Sequence, residues 1–267
     1  VEMELGYALI PLADERQGGE LLERITLLRK QAALELGVLV PPIRIRDDLR
    51  LPANEYVVRV RGVETGRHEV LPRFLLALDT GSVVQQVEGI ETVDPSFGMP
   101  GRWIAPARRV DAEASGYVVV EPATVIATHL MEMLKASAAD LLGRQDVQEM
   151  LGTLRKTHPA LVDDVVPAKL PLGTLHRVLQ RLLREQVPVR DLVTILEVLG
   201  DVAEQSKDPE VLTEQVRRAL GALIARQHMD AAGAVRGITV GPRLETALLT
   251  LFSPRQAMPG GTPMQPS

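Results

Sequence analysis

The sequence predicts an α+β protein of several subdomains: a split α/β first subdomain carrying a small β-rich insertion, an all-α helical subdomain, and a truncated α/β C-terminal piece. Three observations lead there. Aromatic residues make up only 3% of the 267 residues, against 45% hydrophobic overall. The core is therefore built from Leu, Val, Ile, Ala and Met, each burying less area than a large ring, and several small cores suit that supply better than one thick sandwich. The first part of the chain alternates two-residue and 3.6-residue apolar periods, whereas beyond about residue 143 the helical period dominates and connections are short.

Each element has a local reason. "MELGYALIPL" is short, apolar and ended by Pro11, which reads as a strand. In "GGELLERITLLRKQAALELG" the residues Leu21, Ile25, Leu28, Ala32 and Leu36 recur at three- and four-residue steps, and Gly37 closes the helix as a C-cap. "PPIRIRD" alternates Ile43 and Ile45 with Arg44 and Arg46, and "NEYVVRVRG" repeats the pattern with Tyr56, Val58 and Val60, giving the order β-α-β-β. From about Val70 to Glu121 short apolar runs ("RFLLALD", "SVVQQVEG") alternate with turns. "ARRVDAEASGYVVVEP" then supplies a short helix and a strand. "EPATVIATHLMEMLKASAADLLG" is the second helix that the first sheet needs. Pro122 stands in its first turn, Val125, Leu130, Met133, Leu134 and Leu141 on its apolar face, and Gly143 at its end.

These readings place subdomain 1 at residues 1–72 plus 122–142, the inserted subdomain 2 at 73–121, the helical subdomain 3 at 143–228, a partial subdomain 4 at 229–252 and a disordered tail at 253–267. Four helices follow one another in subdomain 3. The last begins with Asp208 as N-cap and Pro209 at its first position, and carries the stripe Leu212, Val216, Leu220, Leu223 and Ile224. "GITVGPRLETALLTLF" reads as the strand and helix that open subdomain 4.

The bulk chemistry excludes several function classes. A net charge of -5 argues against nucleic acid or an anionic membrane as the main partner. The absence of cysteine removes disulfides, thiol nucleophiles and thiolate metal sites, and fits a reducing compartment. No window approaches the roughly 18 uninterrupted apolar residues of a membrane span, and "VEMELGYALIPLADE" has no signal-peptide pattern, so the expectation is a soluble chain. Nothing reads as a phosphate loop or a dinucleotide fingerprint. The five histidines (His68, His129, His158, His176, His228) lack metalloprotease spacing. His129 and His176 read as satisfied polar residues at packing edges. His158 with Asp163 and Asp164 reads as a chance loop pattern, and the carboxylate pairs at 47–48 and 163–164 as solvated or capping groups. The expectation is no catalytic residue, no metal and no cofactor: not an enzyme. Arg44, Arg46, Arg59 and Arg61 on a β-α-β-β-α unit raise an RNA-recognition module as the alternative of another class. Such a module stacks bases on sheet aromatics, however, and only Tyr7 and Tyr56 are available.

One stretch stands apart. "VDPSFGMPGRW" sets Phe97 on a turn defined by Asp-Pro and Gly-Met-Pro-Gly, with the single Trp103 just after it. Such a ring either plugs a core or anchors a partner, and Trp103 reads as core.

"TVDPSFGMPGRWI", "GYVVVEPATVIATHLMEML", "LLGRQDVQEML", "LPLGTLHRVLQRLLREQVPVRDLVTILEVL" and "KDPEVLTEQVRRALG" occur in that order. Together they resemble the cytoplasmic domain of the flagellar and type III secretion export-gate family (FHIPEP, FlhA-like), from about Leu5 to Gly221. "GRQDVQ" is closer to the flagellar branch than to the virulence injectisome, which is the alternative within the family. The resemblance implies a non-enzymatic part of a membrane-anchored protein at the cytoplasmic face of the bacterial inner membrane, assembled into a homo-oligomeric ring, commonly a nonamer. That ring receives export chaperone–substrate complexes, helps order their export, and cooperates with the export ATPase complex and other gate proteins. It further implies a docking pocket between subdomains 1 and 2 whose residues fall on Asp94, Phe97 and Thr128. Against the family pattern, the fourth subdomain is short, and the membrane part and most of the linker are absent.

Overall fold

A computed structural model describes residues 1–237 and 239–252. The chain divides into two units, one ending at Gly221 and one starting at Ala222, and each is described by itself.

The first unit opens on strand β1 (Glu2–Leu5), a single 3-10 turn and the short helix α1 (Ile10–Ala13). The strand thus ends sooner than its apolar run. The Gly6 N–H donates to the Glu55 carbonyl at 2.8 Å, and a Cβ on Gly6 would lie 2.2 Å from the Pro52 oxygen, so the chain turns there with its backbone against a neighbour. Pro11 starts a helix rather than ending a strand. Helix α2 (Leu21–Leu36) buries Leu21, Ile25, Leu28, Ala32 and Leu36, and Gly37 ends it with a positive φ of 77°, both as the spacing predicts.

Strands β2 (Arg44–Asp47), β3 (Glu55–Val60) and β4 (Val63–Glu69) complete a sheet in the order β2-β1-β3-β4, with β1 parallel to β2 and antiparallel to β3. β4 has no apolar period and is not legible as a strand. It forms because Arg61 (φ 52°) and Gly62 (φ 82°) adopt the two consecutive positive φ values of a tight hairpin turn. Pairing then sets Tyr56 opposite His68.

The second sheet has the order β6-β7-β5-β8, all antiparallel, from β5 (Leu75–Leu78), β6 (Ile90–Val93), β7 (Pro100–Ile104) and β8 (Val118–Val120), with helix α3 (Arg109–Ala114) before β8. "SVVQQVEG" is a loop in which Val87 alone is buried. Alternation along β5 and β7 gives the sheet two jobs. Leu76 and its cross-strand partner Trp103, which is 3% exposed, join the core of the first sheet, while Ala77 and Ile104 face a small core with Ala112 and Tyr117. Trp103 is a core residue, as expected.

Helix α4 (Pro122–Ala136) packs against α2 and buries Val125, Ile126, Leu130 and Leu134 in the first core. The long helix read from the sequence is interrupted at Ser137, and α5 (Ala138–Leu141) follows. Gly143 does not end that helix. It opens α6 (Arg144–Arg155), where its N–H donates to the Asp146 carboxylate at 2.6 Å. Next come α7 (Pro159–Asp163) and a wide helical turn over Asp164–Lys169, where the sequence reads as loop; Val162, Val165 and Val166 are buried there.

Helices α8 (Leu172–Arg184), α9 (Leu192–Val202) and α10 (Pro209–Ala219) finish this unit. The Asp191 side chain caps α9, and the Asp208 carboxylate caps α10, accepting from Glu210 N at 2.9 Å. Of the predicted stripe, Leu212, Val216 and Leu220 are buried, and the helix breaks at Leu220 before α11 (Gly221–Gln227). In the second unit Met229 and Val235 form one isolated bridge, and α12 (Pro242–Phe252) is the helix predicted there. The strand predicted before it does not form among the described residues, Ile238 lying outside them, and the tail at 253–267 also lies outside them. No helix among the described residues is long and apolar enough to cross a membrane.

Candidate functional site

The turn joining β6 to β7 is built by one carboxylate. Asp94 pairs its backbone with Met99 and Gly98, the N–H of Asp94 donating to the Met99 carbonyl at 2.8 Å and that of Gly98 to the Asp94 carbonyl at 3.0 Å. Its side-chain Oδ2 accepts from the N–H of Phe97 at 2.7 Å and of Ser96 at 3.2 Å. Gly98 supplies the positive φ of 69° that closes the loop. Asp94 is buried (5% exposed) while Phe97 stands out at 61%. Asp94 thus fixes the backbone of the turn from beneath, and Phe97 on that turn presents its ring to solvent. The ring is neither plugged into a core nor sealed off.

Thr128 lies half-buried on α4, one residue before His129, and no hydrogen bond joins it to the turn among the described residues. What lies close to Asp94 is a polar group the sequence did not assemble. The Tyr56 hydroxyl and His129 Nδ1 are 2.6 Å apart, their rings meet edge-on at 5.9 Å, and His68 meets His129 edge-on at 6.4 Å. Gly66 makes room for this packing: a Cβ there would lie 2.4 Å from Met133 Sδ and 3.3 Å from His129 Cε1. The charge of Asp94 acts on all three residues.

Burial, with Asp94 adding to it, pushes the Tyr56 phenol far above its ordinary value, so it keeps its proton. Burial lowers His129, helped by His68 and opposed by Asp94; it also lowers His68, opposed by Asp94 and Glu69. At neutral pH both partners are therefore uncharged, and the Tyr56 hydroxyl and His129 Nδ1 share one hydrogen bond. The one sequence signal for this cluster was the cross-strand pair of Tyr56 and His68, which needed β4 to be seen.

Elsewhere the polar residues are engaged structurally. His176 Nε2 donates to the Leu142 carbonyl at 2.9 Å, so it is a satisfied packing-edge residue as expected. Asp163 pairs with Arg155 at 3.0 Å and Asp164 with Lys169 at 2.9 Å, while His158 Nδ1 lies 2.9 Å from the Thr157 hydroxyl. No group of three acidic or histidine side chains among the described residues fits a metal ion. Arg46 and Arg59 both bind the buried Glu4 carboxylate, whose pKa the Arg46 guanidinium, foremost, holds below the carboxylate range. That engages two of the four arginines, Arg46 and Arg59, that an RNA-binding sheet would use.

A cleft of about 930 Å³ opens where the two sheets' surroundings meet, lined among others by Tyr7, Leu12, Arg73, Phe74, Pro106 and Glu121; Phe97 is not part of its wall.

A sequence model of the FHIPEP family matches residues 1–266. Among curated proteins the chain is 42% identical to the flagellar biosynthesis protein FlhA of Bacillus subtilis over 248 residues, covering 93% of this chain and 37% of that one. It is 46% identical to FlhA of Treponema pallidum over 250 residues (93% and 35%), and 42% identical to FlhA of Escherichia coli over 264 residues (99% and 37%). The chain thus spans little more than a third of the length of these relatives. Among solved structures it is similar to the CdsV protein of Chlamydia pneumoniae, with a TM-score of 0.79 at 25% identity over 92% of this chain and 72% of that one. The same protein in a complex with CdsO gives a TM-score of 0.80 at 25% identity over 94% and 77%. A nonameric SctV-C from EPEC shares the fold, with a TM-score of 0.67 at 16% identity over 94% and 81%.

Proposed function

The chain belongs to the FHIPEP family, and we propose that it is a cytoplasmic docking platform of a flagellar-type protein export gate, binding export chaperone–substrate complexes and helping to order them for export. The observation that carries this reading is the outward ring of Phe97 on a turn fixed from beneath by Asp94. A large apolar side chain presented to water on a fixed turn suits a hot spot: its burial by a partner contributes about 2 kcal/mol or more, and the turn's backbone is already ordered. Thr128 contributes a hydroxyl from α4 to the same site. The reading assigns no catalytic step to this part of the protein.

Identities of 39–46% to proteins named flagellar biosynthesis protein FlhA favour the flagellar branch; the cytosolic domain of EscV from a type III secretion system stands at 19%. In the whole protein the platform stands at the cytoplasmic face of the inner membrane, repeated around a homo-oligomeric ring, with the export ATPase complex and other gate proteins as neighbours. The nonameric state of SctV-C and the CdsO complex of CdsV are properties of those relatives that support the proposal. The test is genetic. Phe97→Ala in the full-length protein should abolish export of chaperone-dependent filament proteins at normal protein level. Unimpaired export would remove the docking role.

A further inference from the structure

We propose that the cleft of about 930 Å³ is a second binding site, and that its ligand is a proline-rich stretch of a partner protein carrying a carboxylate. The site is separate from the Phe97 turn, which takes no part in its wall, and it stands whether or not anything docks there.

Its place in the fold comes first. The chain passes from β4 of the first sheet to β5 of the second through Leu71, Pro72, Arg73 and Phe74, and it returns from β8 to α4 through Glu121 and Pro122. Both passages line this one cleft, and the 3-10 turn and short helix after β1 supply more of its wall. An occupant therefore touches both connections between the sheets at once and ties them together. The volume lies near the top of the range of about 300–1,000 Å³ for ligand pockets, which leaves room for a segment of peptide.

The lining selects the chemistry of that segment. Two aromatic rings, Tyr7 and Phe74, and four prolines, Pro11, Pro72, Pro106 and Pro122, give the wall a stiff apolar surface. Tyr7 is 61% exposed in a chain that has only three tyrosines, so this ring is open to a partner. Aromatic-lined grooves of this kind accept polyproline II segments, which are extended before they bind and so lose little entropy.

The polar groups of the wall point the same way. Its carboxylates are engaged: Glu20 accepts from Arg24 at 2.6 Å, and Glu121 accepts from Arg109 at 3.4 Å with Arg24 at 3.7 Å. Its donors are free. Among the described residues the Arg73 guanidinium has neither a hydrogen bond nor an ion pair, and the Asn54 side-chain amide has no hydrogen bond. A proline-rich segment brings carbonyl acceptors and few N–H groups, which matches that supply. An ordinary extended peptide would bring an N–H at each residue to carboxylates already taken. The unpaired charge of Arg73 sets the second requirement, a carboxylate on the ligand.

The test is an NMR titration of the chain with a capped oligoproline peptide ending in glutamate. The amides of Arg73, Phe74 and Ala123 should shift, and those of Ser96 and Phe97 should stay still. No shift at the cleft up to millimolar peptide, or shifts at the Phe97 turn instead, would overturn the proposal. Tyr7→Ala, which keeps the fold because its ring is in water, should bind about tenfold more weakly, and unchanged affinity would refute the aromatic wall. Arg73→Gln should lose up to about fivefold against the glutamate peptide and nothing against the same peptide ending in glutamine; equal losses would refute the charge requirement. The glutamate peptide with alanine at alternate prolines should bind more weakly than the parent peptide, and equal binding would refute the selection for proline. Phe97→Ala should bind the oligoproline as the parent chain does. A loss there would move the site to the turn and overturn the proposal.

Discussion

Replacing Asp94 by alanine takes away the acceptor of two backbone N–H groups, from Phe97 at 2.7 Å and Ser96 at 3.2 Å. A hydrogen bond to a charged acceptor contributes about 1.5–3 kcal/mol where buried, and loss of a capping side chain about 1 kcal/mol where water can replace it. Here the carboxylate is buried, but the Phe97 side of the turn is wet and the Ser96 bond is long, so the two together are set at about 2 kcal/mol. For a unit of some 220 residues that corresponds to a fall in Tm of roughly 4–8 °C. Asp94→Asn keeps an oxygen acceptor and loses the charge, so it should cost about half as much. Both variants also remove the interaction that favours protonated His68 and His129, and so should lower the two ring pKa values further. Calorimetry and urea unfolding give the stability, and amide exchange at Ser96 and Phe97 gives the turn. If Asp94→Ala unfolds within about 0.5 kcal/mol of the parent and amide protection at Phe97 is unchanged, the carboxylate does not build this turn.

Three further outcomes follow from the same geometry. Trp103→Ala should destabilise by about 3–5 kcal/mol in urea unfolding, because the ring is 3% exposed and joins the second sheet to the core of the first. Gly37→Ala should cost well over 1 kcal/mol in thermal unfolding, since the position has a φ of 77° and an added Cβ would sit 2.4 Å from the Arg190 backbone nitrogen. Unfolding free energy should fall as pH drops below 6.5: both His68 and His129 have lowered pKa values in the folded state, so the unfolded chain binds more protons there, whereas above about pH 7 the contribution is level. Urea titrations at pH 7.5 and 5.5 check it.

The sequence and the structure part company at identifiable residues. Helix α2 was legible to its cap because five apolar residues recur on one face and Gly37 takes the left-handed conformation. Strand β4 was hidden because a hairpin turn and its partner strand, not its own side chains, hold it in the sheet: "VETGRHE" has a polar, largely exposed face. Gly143 shows the ambiguity of glycine between a helix end and a helix start, which Asp146 resolves only through its reach back to the Gly143 N–H. The turn of the candidate site was readable from Asp-Pro and Gly-Met-Pro-Gly alone, and so was the choice of Phe97 as its apolar feature. That Asp94 is buried and caps the turn with its side chain required three-dimensional pairing. So did the Tyr56, His68 and His129 group, whose members lie up to 73 positions apart. Long-range polar contacts leave no period in a sequence.

The most direct measurement of the docking role is calorimetric titration of this chain, as parent and as Phe97→Ala, with a purified flagellar export chaperone bound to its substrate. The parent should bind, and the variant, folded to the same Tm because its ring is in water, should bind about 30-fold more weakly, the equivalent of about 2 kcal/mol. Equal affinity for both chains would contradict it.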